Sequence, residues 1–172
     1  MIRSVFAGLF TPLRQLRSGR GLPSIHDITT DPEDPPRFSA VLPRRTGRVS
    51  PPEYDGPDAA TQQRRAYPDI VPLDLDVTPE RAIDEAAVVA GELGWEIVAV
   101  DRTRGVLEAI DTTFWFRFKD DIVVRVRPSG PSRSRVDVRS KSRVGRGDLG
   151  ANARRIREFA AALDARTRAA RL

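Results

Sequence analysis

From residue 78 onward the hydrophobic positions recur with a helical period, then with a period of two, then with a helical period again. Ala82, Ile83, Ala86, Ala90 and Leu93 fall on one helical face, with Thr78 placed to cap, Pro79 in the first turn and Gly94 as the stop. Residues 95–100 then read as a strand, DRTRG as a turn, and 106–118 as a longer strand. Ile122, Val124 and Val126 alternate with Asp121, Arg125 and Arg127, and Val136 and Val138 alternate with Arg135, Asp137 and Arg139. Such alternation marks antiparallel strands with one wet face. Leu149, Asn152, Ile156, Phe159, Ala160 and Leu163 return to helical spacing. The order predicts an α+β fold: a four-stranded antiparallel meander sheet, flanked by one helix before it and a long C-terminal helix.

Ahead of this grammar, residues 22–77 carry ten of the fourteen prolines. Prolines at that density deny long helices and central strands. They predict an extended arm that wraps the core, with a short edge strand near 38–42, a mobile loop over 44–59 and an extended piece over 70–77. Residues 1–21 differ again. Ile2, Val5, Phe6, Leu9, Phe10, Leu13 and Leu16 form a helical stripe beside Arg3, Arg14, Arg17 and Arg20. That combination suits a lipid interface or the surface of a neighbouring protein; Pro12 argues against one straight helix. No window reaches the roughly 18–20 apolar residues of a spanning helix. The chain therefore divides into an amphipathic start (1–21), an arm (22–77), a core (78–165) and a basic tail (166–172).

The stretch DTTFWFRFKDD, residues 111–121, concentrates Phe114, Trp115, Phe116 and Phe118 in a chain with eleven aromatics. Read as a strand, it sends Ile110, Thr112, Phe114, Phe116 and Phe118 under the helices. Asp111, Thr113, Trp115 and Arg117 take the other face, where Trp115 would meet Arg125, Arg127, Asp137 and Arg139. That face is either cross-strand ion pairing with a cation–π contact or a shallow binding surface.

Composition narrows the chemistry. The 172 residues contain no cysteine, which excludes disulfides, thiolate metal sites and a cysteine nucleophile. Net charge is +5, and only Lys119 and Lys141 are lysines among 29 basic residues. Arginine bias with abundant alanine often follows nucleotide composition, so the basic balance does not call for nucleic acid. Residues 129–172 carry twelve basic and four acidic side chains. They would attract phosphates, anionic lipid heads or acidic proteins, or else form a solvated arginine-rich face.

Other motifs resolve into local physics. GRGDLG at 145–150 matches a dinucleotide fingerprint in letters only, since its strand alternates with charges and no strand follows its helix. Its glycines precede a helix amino terminus beside Arg143 and Arg146, which permits anion binding; Asp148 as a cap is the plainer reading. His26, the single histidine, lies in HDITTD, where turn chemistry explains the neighbours. An acid–base pair drawn from Asp111, Asp120 and Asp121 would need one raised pKa in a desolvated cleft, and Asp120 and Asp121 fall where a hairpin turn is expected. No catalytic residue, metal or cofactor is assigned.

Four stretches together carry a resemblance: LPSIHDITTDPEDPPRF (22–38), QRRAYPD (63–69), LEAIDTTFWFRFKDDIVVRVRP (107–128) and VDVRSKSRVGRGDLGANARRIREF (136–159). The chain resembles the bacterial and plant family known as domain of unknown function 1499, over roughly residues 22–165. That family has no established activity, so the resemblance implies little beyond a fold. Its members often carry membrane helices or an export signal ahead of the domain, whereas this chain has only the amphipathic start. Residues matching its motifs include Asp27, Thr29, Thr30, Asp31, Asp111, Thr112, Arg125, Asp137, Arg139, Arg143, Asp148, Gly150 and Asn152. With Arg146 beside them, Asp27, Thr30, Asp31, Asp111, Arg125, Arg139, Arg143, Asp148 and Asn152 are the candidates for anion binding or for docking the arm. The docking would pair Asp27 or Asp31 with Arg139 or Arg143. Trp115 is the candidate surface aromatic.

The expectation is a binding or accessory domain at a membrane surface or in the cell envelope, with an anionic membrane or a protein as partner. The alternatives are a cytoplasmic location, and a small-molecule or lipid-binding domain with a pocket between sheet and final helix. The latter could be a hydrolase using Asp111 or Asp121.

Overall fold

The computed structural model describes residues 23–113, 117–145 and 147–169. The amphipathic stretch 1–21, Phe114, Trp115, Phe116 and Arg146 lie outside them. In chain order the elements are β1 (Asp27–Thr29), a 3-10 turn (Leu42–Arg44), α1 (Pro57–Ala66), β2 (Leu73–Leu75), α2 (Pro79–Glu92), β3 (Glu96–Asp101), β4 (Val106–Thr112), β5 (Lys119–Gly130), β6 (Arg133–Ser142) and α3 (Ala151–Ala169).

The local signals act as expected around the meander. Thr78 caps α2 by accepting from the Arg81 N–H. At its other end Gly94 takes a positive φ of 80°, and the Trp95 N–H reaches back to the Ala90 carbonyl at 3.0 Å. That six-residue closure needs a left-handed residue, which glycine supplies without a Cβ penalty. Gly105, in the β3–β4 turn, is required for a second reason. Its carbonyl accepts from the Val126 N–H at 2.7 Å, and a Cβ there would run into the Val126 carbonyl.

The antiparallel sheet has six strands rather than four, in the order β1-β6-β5-β4-β3, with β2 also on β6. The extra two come from the arm. β1 pairs Asp27 with Lys141 and Thr29 with Arg139, while β2 pairs Leu73 with Val136 and Leu75 with Ser134. They lie end to end along the outer edge of β6, satisfying polar backbone groups that an edge strand would leave exposed.

Leu107, Ala109, Ile122, Val124, Val126, Val136 and Val138 form the sheet side of the main core. Against them pack Ala82, Ile83, Ala86 and Ala90 of α2, with Ala153, Ile156, Phe159 and Leu163 of α3. Trp95 stacks on Phe159 with ring centroids 5.1 Å apart. Side chains thus pack the centre of the sheet–helix interface. α3 continues to Ala169, taking in residues that the sequence placed in a tail.

The long aromatic strand is corrected. β4 stops at Thr112; beyond it the Arg117 N–H donates to the Thr113 carbonyl at 3.0 Å, and the Thr113 N–H donates to the Phe118 carbonyl at 2.8 Å. The expected faces are inverted. Leu107 and Ala109 lie under the helices, and Ile110 joins Phe38, Val41 and Val123 on the far side. Asp111 accordingly belongs to the helix face, and Phe118 is half exposed. The physical reason is that the arm buries the second face of β4, so both parities of the strand are apolar and neither marks the core. Asp120 and Asp121 are not in a hairpin turn; they lie within β5, opposite Ser142 and Lys141, and are buried.

The arm also departs from expectation. No strand forms at 38–42, where the chain instead enters the 3-10 turn. Within the segment expected to be a mobile loop, α1 starts at Pro57, a first-turn position where the missing N–H costs nothing. The rest is tied down, with Ser50 donating through N–H to the Arg143 carbonyl at 2.7 Å and through its hydroxyl to the Ser142 carbonyl at 3.0 Å.

Candidate functional site

The sheet face expected to be wet is where the arm docks, through carboxylates set against arginines. Register places Arg125 opposite Asp137 and Arg127 opposite Arg135. All three guanidiniums converge on Asp137, at 3.0, 2.7 and 2.9 Å for Arg125, Arg127 and Arg135, and on Asp31 of the arm at 3.3, 3.2 and 2.8 Å. Asp34 adds a second arm carboxylate to Arg125 and Arg127.

One step along the sheet, Asp27 accepts from Nε and Nη2 of Arg139, each at 2.8 Å, and lies 3.1 Å from Lys141 Nζ. Arg139 also donates to the Pro36 and Pro52 carbonyls and sits against the rings of Phe38 and Tyr54. Lys141, fully buried, reaches Asp55 at 2.5 Å and the Glu53 carbonyl at 2.6 Å. Arg143 does not meet the arm's aspartates. It pairs with Asp121 at 2.6 Å, and Arg45 joins the same carboxylate. Thr30 extends the β1 pairing, its hydroxyl accepting from the Val138 N–H at 2.9 Å.

On the helix face a second polar cluster surrounds the start of α3. Asp148 accepts from the Gly150 N–H at 2.9 Å and the Asn152 N–H at 2.7 Å, so the chain's own carboxylate occupies the place considered for an anion. Asn152 donates to the His26 carbonyl and to Ser142, and accepts from Ser140 and Arg155. Arg155 then binds two carboxylates, Nε to Asp111 at 2.8 Å and Nη2 to Asp120 at 2.7 Å. The recess beside Asp111 and Trp95 is about 90 Å³, room for about three waters. The two acids are acceptors of one guanidinium, an arrangement that fixes α3 to the sheet.

Burial pushes the Asp120 carboxyl above the ordinary carboxylate range, against the opposing pull of Arg155 and a hydrogen bond from Ser142. Its neutral form is thus favoured more in the folded than in the unfolded chain. The resulting stabilisation is fully present below about pH 3.9 and is lost as pH rises through the raised folded value. Urea midpoints of wild type and Asp120→Asn, taken at about pH 3.5 and about pH 6.5, should show the wild-type advantage shrinking with pH. An advantage that grows with pH would mean that the Arg155 pairing outweighs burial.

His26 Nε2 lies 3.7 Å from the Asp55 carboxylate, and no group of three metal-binding side chains occurs among the described residues. Sequence reasoning missed Arg155, Lys141, Tyr54 and Glu108. Glu108 was signalled faintly, as a lone acid inside an apolar strand. Its carboxylate accepts from the N–H groups of Ser39, Ala40 and Val41 at 2.9–3.0 Å.

The basic end of the chain is largely neutralised. Every described arginine and lysine from Arg133 to Arg168 has a carboxylate within 4.0 Å, including Asp76, Asp69 and Glu85 from other elements or turns. Among the described residues, Arg37, Arg48, Arg65, Arg104, Arg117 and Lys119 have none.

Arg48, Arg117 and Lys119 lie in segments that meet at one end of the sheet, since the Arg143 N–H bonds the Lys119 carbonyl and the Ser50 N–H bonds the Arg143 carbonyl. Phe118 (50% exposed), Val144 (38%) and Leu149 (72%) project at the same end. The chain enters the described part there too, Ser24 lying next to Gly147.

A cleft of about 740 Å³ opens on the arm side, between residues 32–42, the loop at 52–56 and α1. It does not lie between sheet and final helix.

No curated protein matches the chain. The family model described as protein of unknown function (DUF1499) matches residues 27–163, a span that includes β1, the meander and most of α3. The chain therefore belongs to the DUF1499 family.

Proposed function

We propose that the chain is a non-catalytic binding or accessory domain that works at an anionic membrane surface of the cell envelope. The observation that carries this reading is the sheet end at 117–119 and 144–149. Three cations without carboxylate partners among the described residues lie in the segments that meet there, as do three exposed large hydrophobic side chains. Apolar side chains that enter the headgroup boundary, with cations facing lipid phosphates, are what interfacial binding requires. The described chain begins at this end, where Ser24 lies next to Gly147, and the sequence ahead of it carries the arginine-bearing apolar stripe.

Flotation of the full chain with vesicles tests it. The chain should float with phosphatidylglycerol-rich vesicles, far less with neutral phosphatidylcholine, and salt should release it. Each cation near such a surface contributes about 1 kcal/mol, so Arg117→Gln with Lys119→Gln should weaken binding about 30-fold. Equal flotation with neutral vesicles, or wild-type flotation by that double variant, would remove this surface as the docking face.

A further inference from the structure

We propose that the cleft between the arm and α1 binds a short apolar peptide with free ends, its carboxylate meeting Arg37 and its ammonium meeting Glu53. The site is separate from the membrane-facing end and independent of that reading.

The charges of the lining define the ligand by subtraction. Arg139 is matched by Asp27 at 2.8 Å, and Arg64 by Glu33 at 2.8 Å, so both arginines are neutralised within the protein. Arg37 and Glu53 remain. Both are exposed, and among the described residues neither has an opposite charge within 4.0 Å. The lining is therefore neutral as a whole but dipolar, with a cation on the wall formed by residues 32–42 and an anion on the loop at 52–56.

One buried group sets the spacing of those two charges. The Arg139 guanidinium donates to the Pro36 carbonyl at 3.1 Å and to the Pro52 carbonyl at 2.9 Å. These are the residues immediately before Arg37 and Glu53. The Glu53 carbonyl is held in addition by Lys141 at 2.6 Å. Two walls tied to one guanidinium thus carry a cation and an anion that do not pair with each other across the gap. A fatty acid or an amine would answer only one of them, whereas a ligand ionised at both ends answers both.

The body between those ends must be apolar. Pro32, Pro35, Leu42 and Pro52 line the cleft, Leu42 being 39% exposed although it is a large hydrophobic residue, and Tyr54, its hydroxyl buried, contributes its ring. Proline walls have a fixed φ, so little freedom is lost when they close on a ligand. The volume of about 740 Å³ lies in the range, roughly 300–1,000 Å³, of sites that enclose small molecules. A single amino acid would leave most of it empty, and a peptide of a few residues fills it.

Isothermal titration calorimetry of the full chain with the tripeptide Ala-Phe-Leu, without lipid, is the test. The tripeptide should bind saturably at one site, and more tightly than free phenylalanine. Acetylating its amino end or amidating its carboxyl end should each weaken it about fivefold, the upper range for an exposed ion pair. Arg37→Gln should abolish the penalty for amidation and keep that for acetylation, and Glu53→Gln should do the reverse. Both side chains are exposed and pair with nothing among the described residues, so neither change disturbs folding. Because each variant must lose one sensitivity and retain the other, a general loosening of the arm does not imitate the result. Absence of saturable binding, capped peptides that bind like the free one, phenylalanine that binds as tightly as the tripeptide, or wild-type sensitivity to both caps in the two variants would overturn the assignment.

Discussion

Arg139→Leu should cost about 3–5 kcal/mol of folding stability, the loss expected when one partner of a buried ion pair is removed. Arg139 and Asp27 are both almost wholly buried, and with Lys141 and Asp55 they form a group of two cations and two anions. Removing the guanidinium leaves that group one charge short in a dry place. It also strips donors from the Pro36 and Pro52 carbonyls, so two segments of the arm lose their attachment to the sheet. Urea denaturation followed by circular dichroism measures the loss. Asp27→Asn combined with Arg139→Leu should cost less than the two single losses added, because neither charge is then left unpaired. Asp31→Ala and Arg143→Ala, by contrast, should add, since Asp31 pairs with Arg125, Arg127 and Arg135 while Arg143 pairs with Asp121. A loss below about 1 kcal/mol for Arg139→Leu would place it with surface pairs and contradict the assigned role.

Glu108→Gln should cost roughly 2–3 kcal/mol, close to the value of a hydrogen bond to a charged group. The carboxylate of Glu108 receives three consecutive backbone N–H groups, from Ser39, Ala40 and Val41, just ahead of the 3-10 turn. Both of its oxygens are used. A glutamine retains one oxygen and turns an NH₂ group toward the same donors, so the substitution replaces attraction by a donor–donor clash. Hydrogen exchange separates this local device from general destabilisation. Protection at residues 39–41 should fall far more than protection in β5 and β6. A uniform loss across the sheet would mean that Glu108 supports β4 and not the arm.

These two residues also show how unevenly the molecule can be read from its sequence. The α2 boundaries were legible because Thr78 and Gly94 act on their own neighbours, within one turn of chain. β5 and β6 were legible as strands because period-two alternation is a local property. Ile110 and Asp111 were placed on the wrong faces because the alternation fixes only which residues share a face. Which face becomes the core depends on what covers it, and here Phe38 and Val41 arrive from some seventy residues upstream to cover the other one.

The candidate residues divide in the same way. Asp27, Asp31, Arg125, Arg139 and Arg143 could be singled out from their motifs, but their partners could not. The pairing of Asp27 with Arg139 follows from the β1–β6 register, in which Thr29 faces Arg139 and Asp27 faces Lys141. Arg155, Tyr54 and Glu108 carried no motif at all, and each acquires its role from segments distant in sequence. Charge counting failed for a related reason: the basic residues from 129 onward are an excess along the chain, but most of the described ones meet acids of other elements in space.

By itself, then, the sequence determined the α+β class, the helix caps, the meander and the proline-rich arm, because propensity, periodicity and capping are set within a few residues. Only the tertiary structure decided that the arm adds two strands to β6, that the arginine face is a buried docking surface, and where a cleft remains. Those outcomes depend on long-range register and on burial, which changes what a charge costs and which partner can offset it.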